Sequence, residues 1–376
     1  MQSILEEITR IRQGNPITID YCNSNRYRLV AQESDGSKTA YYFTTPIYSQ
    51  KNRRMIDLQF HSEGGTVYAA GSNADITVAA NIQMENAEGC CIVEMPQQLT
   101  LISKRELCSE NCRIFPTTNG IAVKANIKDS QKVSFHIEVD QPFLNVMANG
   151  KYFALMKEKF KPLVVFSCIG TLDAAGVLIA PAKIEYQKLA DKKYCLTVSA
   201  ASSLGQYVLY EANLYENKLF QDTTVESLNP SVNNAFGSTG FIGNTALFGE
   251  QWLYSRIDDT KITDIMDKRI NSAVLHMPKF NRSDVALSAF KVSARFCSFG
   301  SNWDNRIAED VLIADASSRS GYQSIDITPM LVNLTTRTIL RSEGLILKPN
   351  VKNSGFCAIA TGDSCYAPQI LEINFR

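Results

Sequence analysis

The first thirteen residues carry apolar side chains at the spacing of an α-helix. Ile4, Ile8 and Ile11 recur at intervals of four and three residues, with Leu5 beside them, so all four share one face of a predicted short amphipathic helix over residues 1–15. A helix this short is marginal alone, and its apolar face must therefore dock. Two interpretations stay open: the helix packs on the protein's own sandwich, or Ile4, Leu5, Ile8 and Ile11 form an assembly helix that joins copies of the chain.

From Ile17 onward the apolar positions recur at every second residue, which is typical of β-strands. This alternation covers residues 27–31, 56–60, 76–82, 121–127 and 133–139, with further strand-like runs at 163–169, 194–199 and 206–214. Turn pairs such as Asn119 with Gly120 separate the runs. We expect residues 152–160 to form one or two helical turns. The pattern predicts an all-β fold made of tandem β-sandwich domains.

The length of the chain suggests two or three domains. We place boundaries near residues 115 and 215, which gives a β-sandwich domain over 16–115, a second β domain over 116–215 and a third domain over 216–376. Neither boundary has a linker rich in Pro or Ser, so we expect neighbouring domains to abut.

The third predicted domain contains an ordered series of short motifs. In chain order they are Asp222, Asn233 to Gly237, Ile242 with Gly243, Arg256 to Asp258, Ala273 to Leu275, Trp303, Ile325 to Thr328, Gly344 with Leu345, and Pro368 to Leu371. This order resembles the DNRLRE-type domain, a jelly-roll β-sandwich of bacterial surface and carbohydrate-associated proteins. The resemblance implies a C-terminal jelly roll over about residues 222–376. Residues 1–215 show no such resemblance.

Two features of the residues themselves agree with a sandwich in this region. Phe290, Val292, Ala294 and Phe296 alternate with polar residues, which indicates a strand with one buried face. Thr328 followed by Pro329 is typical of an N-cap and the first helical position. We therefore expect a short helix over 330–334 that closes one end of the sandwich.

Charge and histidine content exclude several kinds of site. The chain has 38 basic and 38 acidic residues, and this zero net charge argues against general nucleic-acid binding. Only three histidines are present and they are far apart, which excludes a His-rich metal centre. No cofactor is expected, although Asp222, Asn229 and Asp258 could hold a structural calcium ion.

The N-terminus and the cysteines bear on where the protein works. Residues 1–8 do not form a Sec signal, and no apolar run approaches the length of a membrane span. We expect synthesis in the cytoplasm, followed by release by another route or incorporation into a surface, spore or phage-like particle. Ten cysteines without a CxxC pair are interpreted as reduced, mostly buried thiols, with disulfides formed after release as the alternative.

Candidate chemistry is sparse. A GxSxG motif is absent, and spacing cannot select a glycosidase pair from the carboxylates Glu94, Glu138, Glu211, Asp258 and Asp259. Asp258 and Asp259 are interpreted as the end of a strand and the start of a turn. The aromatic residues Trp252, Trp303, Tyr254 and Tyr322 are candidate contacts for a sugar or a protein partner, and their alternative role is in the core.

Three functions follow from these patterns. The favoured one is a non-enzymatic structural and adhesive protein of a bacterial surface, spore-layer or phage-like particle assembly, with a homo-oligomer or larger protein assembly as its partner. The alternatives are a carbohydrate-binding protein with a polysaccharide partner and a carbohydrate-active enzyme with a carboxylate pair.

Overall fold

A computed structural model describes most of the chain. The described residues are 4–48, 55, 60–63, 66–69, 78–83, 90–95, 99–104, 112–128, 131–139, 142–214, 219–319, 321–336, 343–351 and 355–376. Within this part, strands dominate and two short α-helices are present. The all-β prediction is confirmed. The predicted run at 56–60 lies mostly outside the described residues.

The elements of the N-terminal half are α1 Ile4–Ile11, β1 Thr18–Ile19, β2 Arg28–Gln32, β3 Lys38–Phe43, β4 Phe60–Glu63, β5 Thr66–Ala69, β6 Val78–Gln83, β7 Cys90–Met95, β8 Leu99–Lys104, β9 Cys112–Pro116, β10 Gly120–Asn126, β11 Lys132–Val139, β12 Asn145–Ala148, β13 Tyr152–Glu158, β14 Lys161–Leu172, β15 Leu178–Ala180, β16 Ala182–Ala190, β17 Lys193–Ala200 and β18 Tyr207–Leu214.

The elements of the C-terminal half are β19 Phe220–Glu226, β20 Thr239–Thr245, β21 Gly249–Ile257, two 3-10 turns at Asp259–Lys261 and Thr263–Ile265, β22 Ile270–Pro278, β23 Leu287–Val292, β24 Glu309–Asp315, β25 Ser317–Arg319, β26 Tyr322–Asp326, α2 Thr328–Thr335, β27 Leu345–Pro349, β28 Phe356–Ala360 and β29 Ile370–Phe375.

The chain forms two compact units. The middle unit spans Tyr48–Glu216, and the terminal unit combines Gln2–Ile47 with Asn217–Arg376. This division differs from the three predicted domains. The predicted domain over 16–115 is split, because β3 pairs antiparallel with β29, the last strand of the chain. The boundary predicted near 115 also fails to separate domains, because β8 and β11 are neighbours in one sheet.

The middle unit contains a seven-stranded sheet, ordered β12-β13-β14-β18-β10-β9 with β15 paired to β14, and an eight-stranded sheet, ordered β16-β17-β11-β8-β7-β6-β5-β4. Its core joins side chains of both sheets, as where Phe135 of β11 stacks on Tyr210 of β18 with ring centroids 4.9 Å apart. The predicted helical turns at 152–160 are wrong. Residues Tyr152–Met156 are all buried in β13, and its pairing with both β12 and β14 overrides local helical preference.

The terminal unit is a sandwich of two seven-stranded sheets. Sheet A has the order β1-β2-β3-β29-β22-β26-β25, and sheet B has the order β24-β23-β27-β21-β20-β28 with β19 paired to β21. The inner faces share one apolar core, to which sheet A contributes Leu275 and Leu371 and sheet B contributes Leu253 and Ile359. The sandwich prediction is thus confirmed for this region, with strands β1–β3 from the N-terminal segment added to it.

Both helices pack on the terminal unit. Ile8 of α1 is fully buried, and Arg12, which directly follows α1, donates to Glu33 and to the hydroxyl of Tyr41 on sheet A. Helix α2 buries Leu331 and Leu334 in the sandwich core. The predicted capping of α2 is wrong in detail, because Thr328 is the first helical residue and its hydroxyl donates to Asp326 instead of capping the helix.

Candidate functional site

Strand β21 directs its side chains to both faces of sheet B. Leu253 and Ile257 enter the sandwich core, whereas Trp252 and Tyr254 lie on the outer face. The segment 293–308 runs over this outer face and adds Phe296, which is buried there. A small second core therefore forms on the outside of sheet B, with Trp252 and Trp303 packed at its margin.

Asparagine side chains fix the loop that carries Trp303. The amide of Asn233 donates to the carbonyls of Ser298 (2.6 Å) and Ser301 (2.7 Å). Asn302 and Asn305 each accept the other's backbone N–H, which closes a tight turn around Trp303. The position of Trp303 is thus set by polar contacts as well as by its packing.

Trp252 and Trp303 form a half-buried aromatic patch, hereafter the Trp patch, with ring centroids 5.1 Å apart. The guanidinium of Arg306 lies 4.4 Å from the centroid of Trp303 and 5.5 Å from that of Trp252. The ammonium of Lys348 lies 5.5 Å from the Trp252 centroid. The indole N–H of Trp252 donates to Glu250 at 3.0 Å. Cations over aromatic faces attract them electrostatically, so both ring positions are held from several sides.

Two of the four predicted aromatic contacts are wrong. Tyr254 is fully buried beneath the loop and donates to the carbonyl of Ile307 at 2.6 Å. Tyr322 is buried under α1, where its hydroxyl donates to Glu7 and its ring faces Arg10. Burial raises the pKa of both phenols. Neither ring is available to an external ligand, because each serves the packing of the terminal unit.

A row of polar side chains crosses the outer face of sheet A next to α1. His276 of β22 lies between Ser324 of β26 (Nδ1 to Oγ, 2.8 Å) and Glu372 of β29 (Nε2 to Oε2, 3.1 Å). All three line a cavity of about 330 Å³ that is also lined by Arg10 of α1. The distances match those of a nucleophile, a base and an orienting carboxylate.

The setting of this row differs from that of a hydrolase site. Ser324 lies in the middle of β26, which pairs with β22 on one side and β25 on the other. Backbone N–H groups of a strand point at its neighbours in the sheet and not at a cavity above the face. The described strands therefore offer Ser324 no backbone oxyanion hole of the usual kind. We interpret the row as a network that satisfies buried polar groups beside α1.

A second cavity, of about 410 Å³, lies where Arg28 of β2 and Tyr42 of β3 meet the 3-10 turn at 263–265. Arg28 forms an ion pair with Asp264, and the Tyr42 hydroxyl donates to the same carboxylate at 2.6 Å. Burial raises the pKa of Tyr42. The Asp264 carboxylate thus already has a cationic partner, Arg28, and a neutral donor, Tyr42, and both belong to sheet A.

The predicted carboxylates and calcium ligands do not converge. Glu211 is completely buried in β18, and Asp258 caps the 3-10 turn at 259–261, which confirms its interpretation as the end of a strand. Asp222 accepts from the backbone of Gly362, whereas Asn229 donates to Glu226. Among the described residues, no group of three or more His, Cys, Asp or Glu is arranged to hold a metal ion. The side chains of residues 94 and 138 lie outside the description.

Strand β24 is a feature that the sequence prediction missed. It forms one edge of sheet B, and Val311 and Leu312 on it are 60% and 51% exposed. The signal was the run Glu309 to Asp315, in which three consecutive large apolar residues lie between acidic ones. An apolar run of that kind is usually buried, so its sequence alone gave no reason to expect an exposed edge.

Comparison of the chain with protein-family models and with curated proteins finds no match. Neither helix in the described part of the chain has the length and apolar composition that a membrane span requires.

Of the described cysteines, Cys168, Cys357 and Cys365 are buried, and burial raises the pKa of the Cys168 thiol. The candidate site of the terminal unit is therefore defined by its own geometry, with the Trp patch as its main feature.

Proposed function

We propose that the chain is a structural and adhesive protein and that the Trp patch is part of its adhesive surface. The observation that carries the proposal is the pair of half-buried indoles, 5.1 Å apart, bordered by Arg306 and Lys348. Trp and Arg are the residue types most enriched at the energetic centres of protein interfaces. Their rigid setting here lowers the entropy lost on binding a partner.

A protein partner fits this patch better than a sugar. Stacking on a sugar ring needs an open aromatic face, and the guanidinium of Arg306 already lies over both indoles. An exposed Arg over Trp rings can instead donate to carboxylates or carbonyls of a protein partner while it remains stacked. Carbohydrate binding, with a polysaccharide partner, is the second candidate because the two indoles would serve it once Arg306 moves aside.

The setting of the proposed role is a bacterial surface, a spore layer or a phage-like particle. It rests on the resemblance of residues 222–376 to the DNRLRE-type jelly roll. A role in assembly requires no catalytic step. A carbohydrate-active enzyme is less favoured, because Glu211 is buried and Asp258 caps a turn.

The test combines light scattering after size exclusion with two binding screens on the same peak, a glycan array and an array of surface and particle proteins from the source cell. The variants are Trp252→Ala and Trp303→Ala. The matched control is Tyr21→Ala, which removes an aromatic ring that is 69% exposed and lies between β1 and β2 of sheet A, whereas the Trp patch lies on sheet B.

We expect the unmodified chain to bind a protein partner on the array. This binding should fall by about ten-fold or more in both Trp variants, as for an interface hot spot, and should be unchanged in the control. A glycan signal lost in the same variants would instead select the carbohydrate-binding role. Binding that survives both substitutions would remove the Trp patch from the function.

A further inference from the structure

The turns that follow β13 and β16 lie at the same end of the middle unit. Near the end of β13, the carbonyl of Met156 accepts from the backbone N–H of Leu144 at 2.6 Å. The ring centroid of the neighbouring Phe143 lies 6.3 Å from that of Tyr194, and Tyr194 pairs with Lys188 near the end of β16. This short segment therefore joins the ends of two strands, one from each sheet, and brings the two turns to one end of the unit.

We call this end of the middle unit the lysine end, and it consists of Leu144, the turn 157–161 and the segment 188–193. Its six lysines are Lys157, Lys159, Lys161, Lys188, Lys192 and Lys193. The carboxylates within or directly opposite these segments are Glu158, Asp191 and Glu138, of which Glu158 already pairs with Lys161 at 3.0 Å.

The charge of this end differs from that of the chain as a whole. Asp140 lies outside the described residues, and even when it is counted the lysines outnumber the carboxylates by six to four. The whole chain has no net charge. A local excess of lysine on a neutral chain indicates attraction to an anionic partner.

Apolar side chains are exposed among these lysines. Leu144 is 67% exposed, Leu189 is 48% exposed and Phe160 is 42% exposed. Single exposed apolar residues are ordinary on protein surfaces, whereas a group of them marks an interaction site. These three come from separate segments that meet at one end, and they therefore form such a group.

Both turns keep a large side chain where the backbone favours glycine. Phe160 has a φ of +65° and Lys192 a φ of +57°, and each is the second residue of the two-residue loop that joins a pair of strands. A left-handed backbone conformation disfavours side chains, and Gly, Asn or Asp is usual there. The exposed ring of Phe160 gains little burial to offset this cost. Backbone outliers of this kind are concentrated at functional sites, which indicates that Phe160 contacts a partner.

We propose that the lysine end docks on an anionic lipid surface. The lysines lie at the phosphates, while Phe160, Leu144 and Leu189 enter the boundary between headgroups and acyl chains. Binding of this kind gains from buried apolar area and from attraction of lysines to anionic lipids. Lysine side chains suit it because their apolar stems lie along the apolar layer while the ammonium groups stay at the phosphates.

The combination of side chains favours lipid over other anionic partners. A soluble polyanion would contact the lysines and leave the apolar side chains in water. A protein partner would need a separate pocket for each apolar side chain, because the three lie on separate segments. A fluid lipid layer accepts all three without a matching shape. The proposal goes beyond the adhesive function and is independent of the Trp patch, which lies in the terminal unit.

The test uses the full chain in cosedimentation with two vesicle preparations, one of phosphatidylcholine alone and one of equal parts phosphatidylcholine and phosphatidylglycerol. The charge variant combines Lys159→Glu with Lys188→Glu. Its matched control is Lys128→Glu, because Lys128 is exposed and lies just before β11, whereas the far end of β11 reaches the lysine end.

The apolar variant is Phe160→Gly. Glycine adopts a positive φ without strain, so this substitution removes the ring and leaves the turn intact. Its matched control is Leu204→Gly, because Leu204 is 77% exposed and follows β17 at the end opposite to the lysine end.

We expect the unmodified chain to bind the anionic vesicles and not the neutral ones, and binding should fall as salt rises. The charge variant should bind about ten-fold more weakly or worse. Phe160→Gly should bind about five-fold more weakly, because less apolar area is buried, and its melting temperature should be unchanged or higher. Both controls and Trp303→Ala should bind like the unmodified chain.

Several results would overturn the proposal. They are a failure to bind anionic vesicles, equal binding to both vesicle preparations, undiminished binding by the charge variant or by Phe160→Gly, and loss of binding in Trp303→Ala. Soluble inorganic polyphosphate separates the two sources of phosphate. If the chain binds it as tightly as the vesicles and Phe160→Gly has no effect, the lysines serve a soluble polyanion and the lipid proposal is wrong. A failure of vesicle binding leaves the Trp patch untouched, because the Trp variants are measured against a protein partner.

Discussion

At the scale of single residues, Gly344 shows how closely the loop of the Trp patch is fitted to sheet B. Its φ is +108°, and a Cβ there would lie 2.7 Å from Cε1 of Phe296 and 2.9 Å from the carbonyl oxygen of Ser255. The first neighbour belongs to the outer core and the second to β21. The absence of a side chain at this position leaves room for Phe296, which packs edge-on against Tyr254 of β21 with ring centroids 5.6 Å apart.

We expect Gly344→Ala to lower the free energy of unfolding of the terminal unit by about 2–4 kcal/mol, because it adds a clash to the cost of a positive φ. Urea denaturation followed by tryptophan fluorescence measures the change. Gly36→Ala is the matched control: its φ is +83° and no atom lies within 4 Å of the added Cβ. The control should lose only about 1 kcal/mol. Equal losses in the two variants would show that the fit against Phe296 has no energetic weight.

Residue identity predicts chemistry better than it predicts exposure. The spacing of Trp252 and Tyr254 places them on one face of β21, yet Tyr254 is buried and Trp252 is half-buried. The difference arises because segment 293–308 folds over Tyr254 and only borders Trp252. Its path depends on Asn233, which is 65 residues before the carbonyl of Ser298 to which it donates. Contacts at that separation leave no local periodic signal.

At the scale of elements, α1 illustrates a choice that the sequence left open. Its apolar stripe fits either docking or assembly, and only the structure supplies a receiving surface, the outer face of sheet A. Ile8 is buried there, while Ile4, Leu5 and Ile11 are half-buried. Arg12 adds contacts to Glu33 and Tyr41. The helix therefore uses its own chain as a partner, and an additional role in assembly stays a prediction.

Removal of residues 1–13 should lower the melting temperature and leave the number of chains per particle in solution unchanged, because the helix docks within one chain. Scanning calorimetry and light scattering measure the two properties. Ile8→Ala should also lower the melting temperature, with a loss of about 2–4 kcal/mol in the free energy of unfolding. Ile4→Ala, at a half-buried position, should lower this free energy by less. A lower mass after the deletion would instead identify α1 as an assembly helix.

Strand prediction succeeded where one face of a strand is buried and failed where other strands decide the outcome. The alternation at 121–127 and 133–139 matches β10 and β11, which each bury one face in the middle unit. Strand β13 has no such alternation, because Tyr152–Met156 are buried on both faces. A continuous buried run has no period to distinguish it from a helix, and its strand partners are remote in sequence.

At the scale of the whole molecule, the sequence reveals β domains but not how the chain closes them. The backbone N–H of Gln369 donates to the Thr44 hydroxyl, and these residues are 325 positions apart. The pairing of β3 with β29 leaves no signal in either sequence, because nothing in the residues of these two largely buried strands identifies the other as its partner. The sequence predicts the domain boundary near residue 215, because the second series of strand-like runs ends at β18. It does not predict that the terminal unit is built from two separate segments of the chain.

We expect a fragment of residues 48–216 to fold alone, because its core is complete within it. A fragment of 217–376 should fail to fold or aggregate, since it lacks β1–β3 and exposes the edge of β29. Circular dichroism and size exclusion distinguish these states.

The control joins 2–47 to 217–376 through a short Gly/Ser linker, which is feasible because Phe43 and Leu219 line the same cavity. This chain should recover a cooperative melting transition. A stable, monomeric 217–376 fragment would show that the N-terminal strands are dispensable.

The pairing of β3 with β29 also has a consequence for synthesis. A ribosome releases the first strands of sheet A long before it releases the strand that completes their ladder, so β3 waits with an open edge while the middle unit emerges and folds. Contacts of such long sequence separation form slowly, and this interval is when the nascent chain most needs a chaperone. A chain cut short anywhere before β29 cannot finish the sandwich that carries the Trp patch and β24. Only chains translated through β29 would then complete sheet A, so copies truncated before β29 would lack the folded sandwich on which the Trp patch depends.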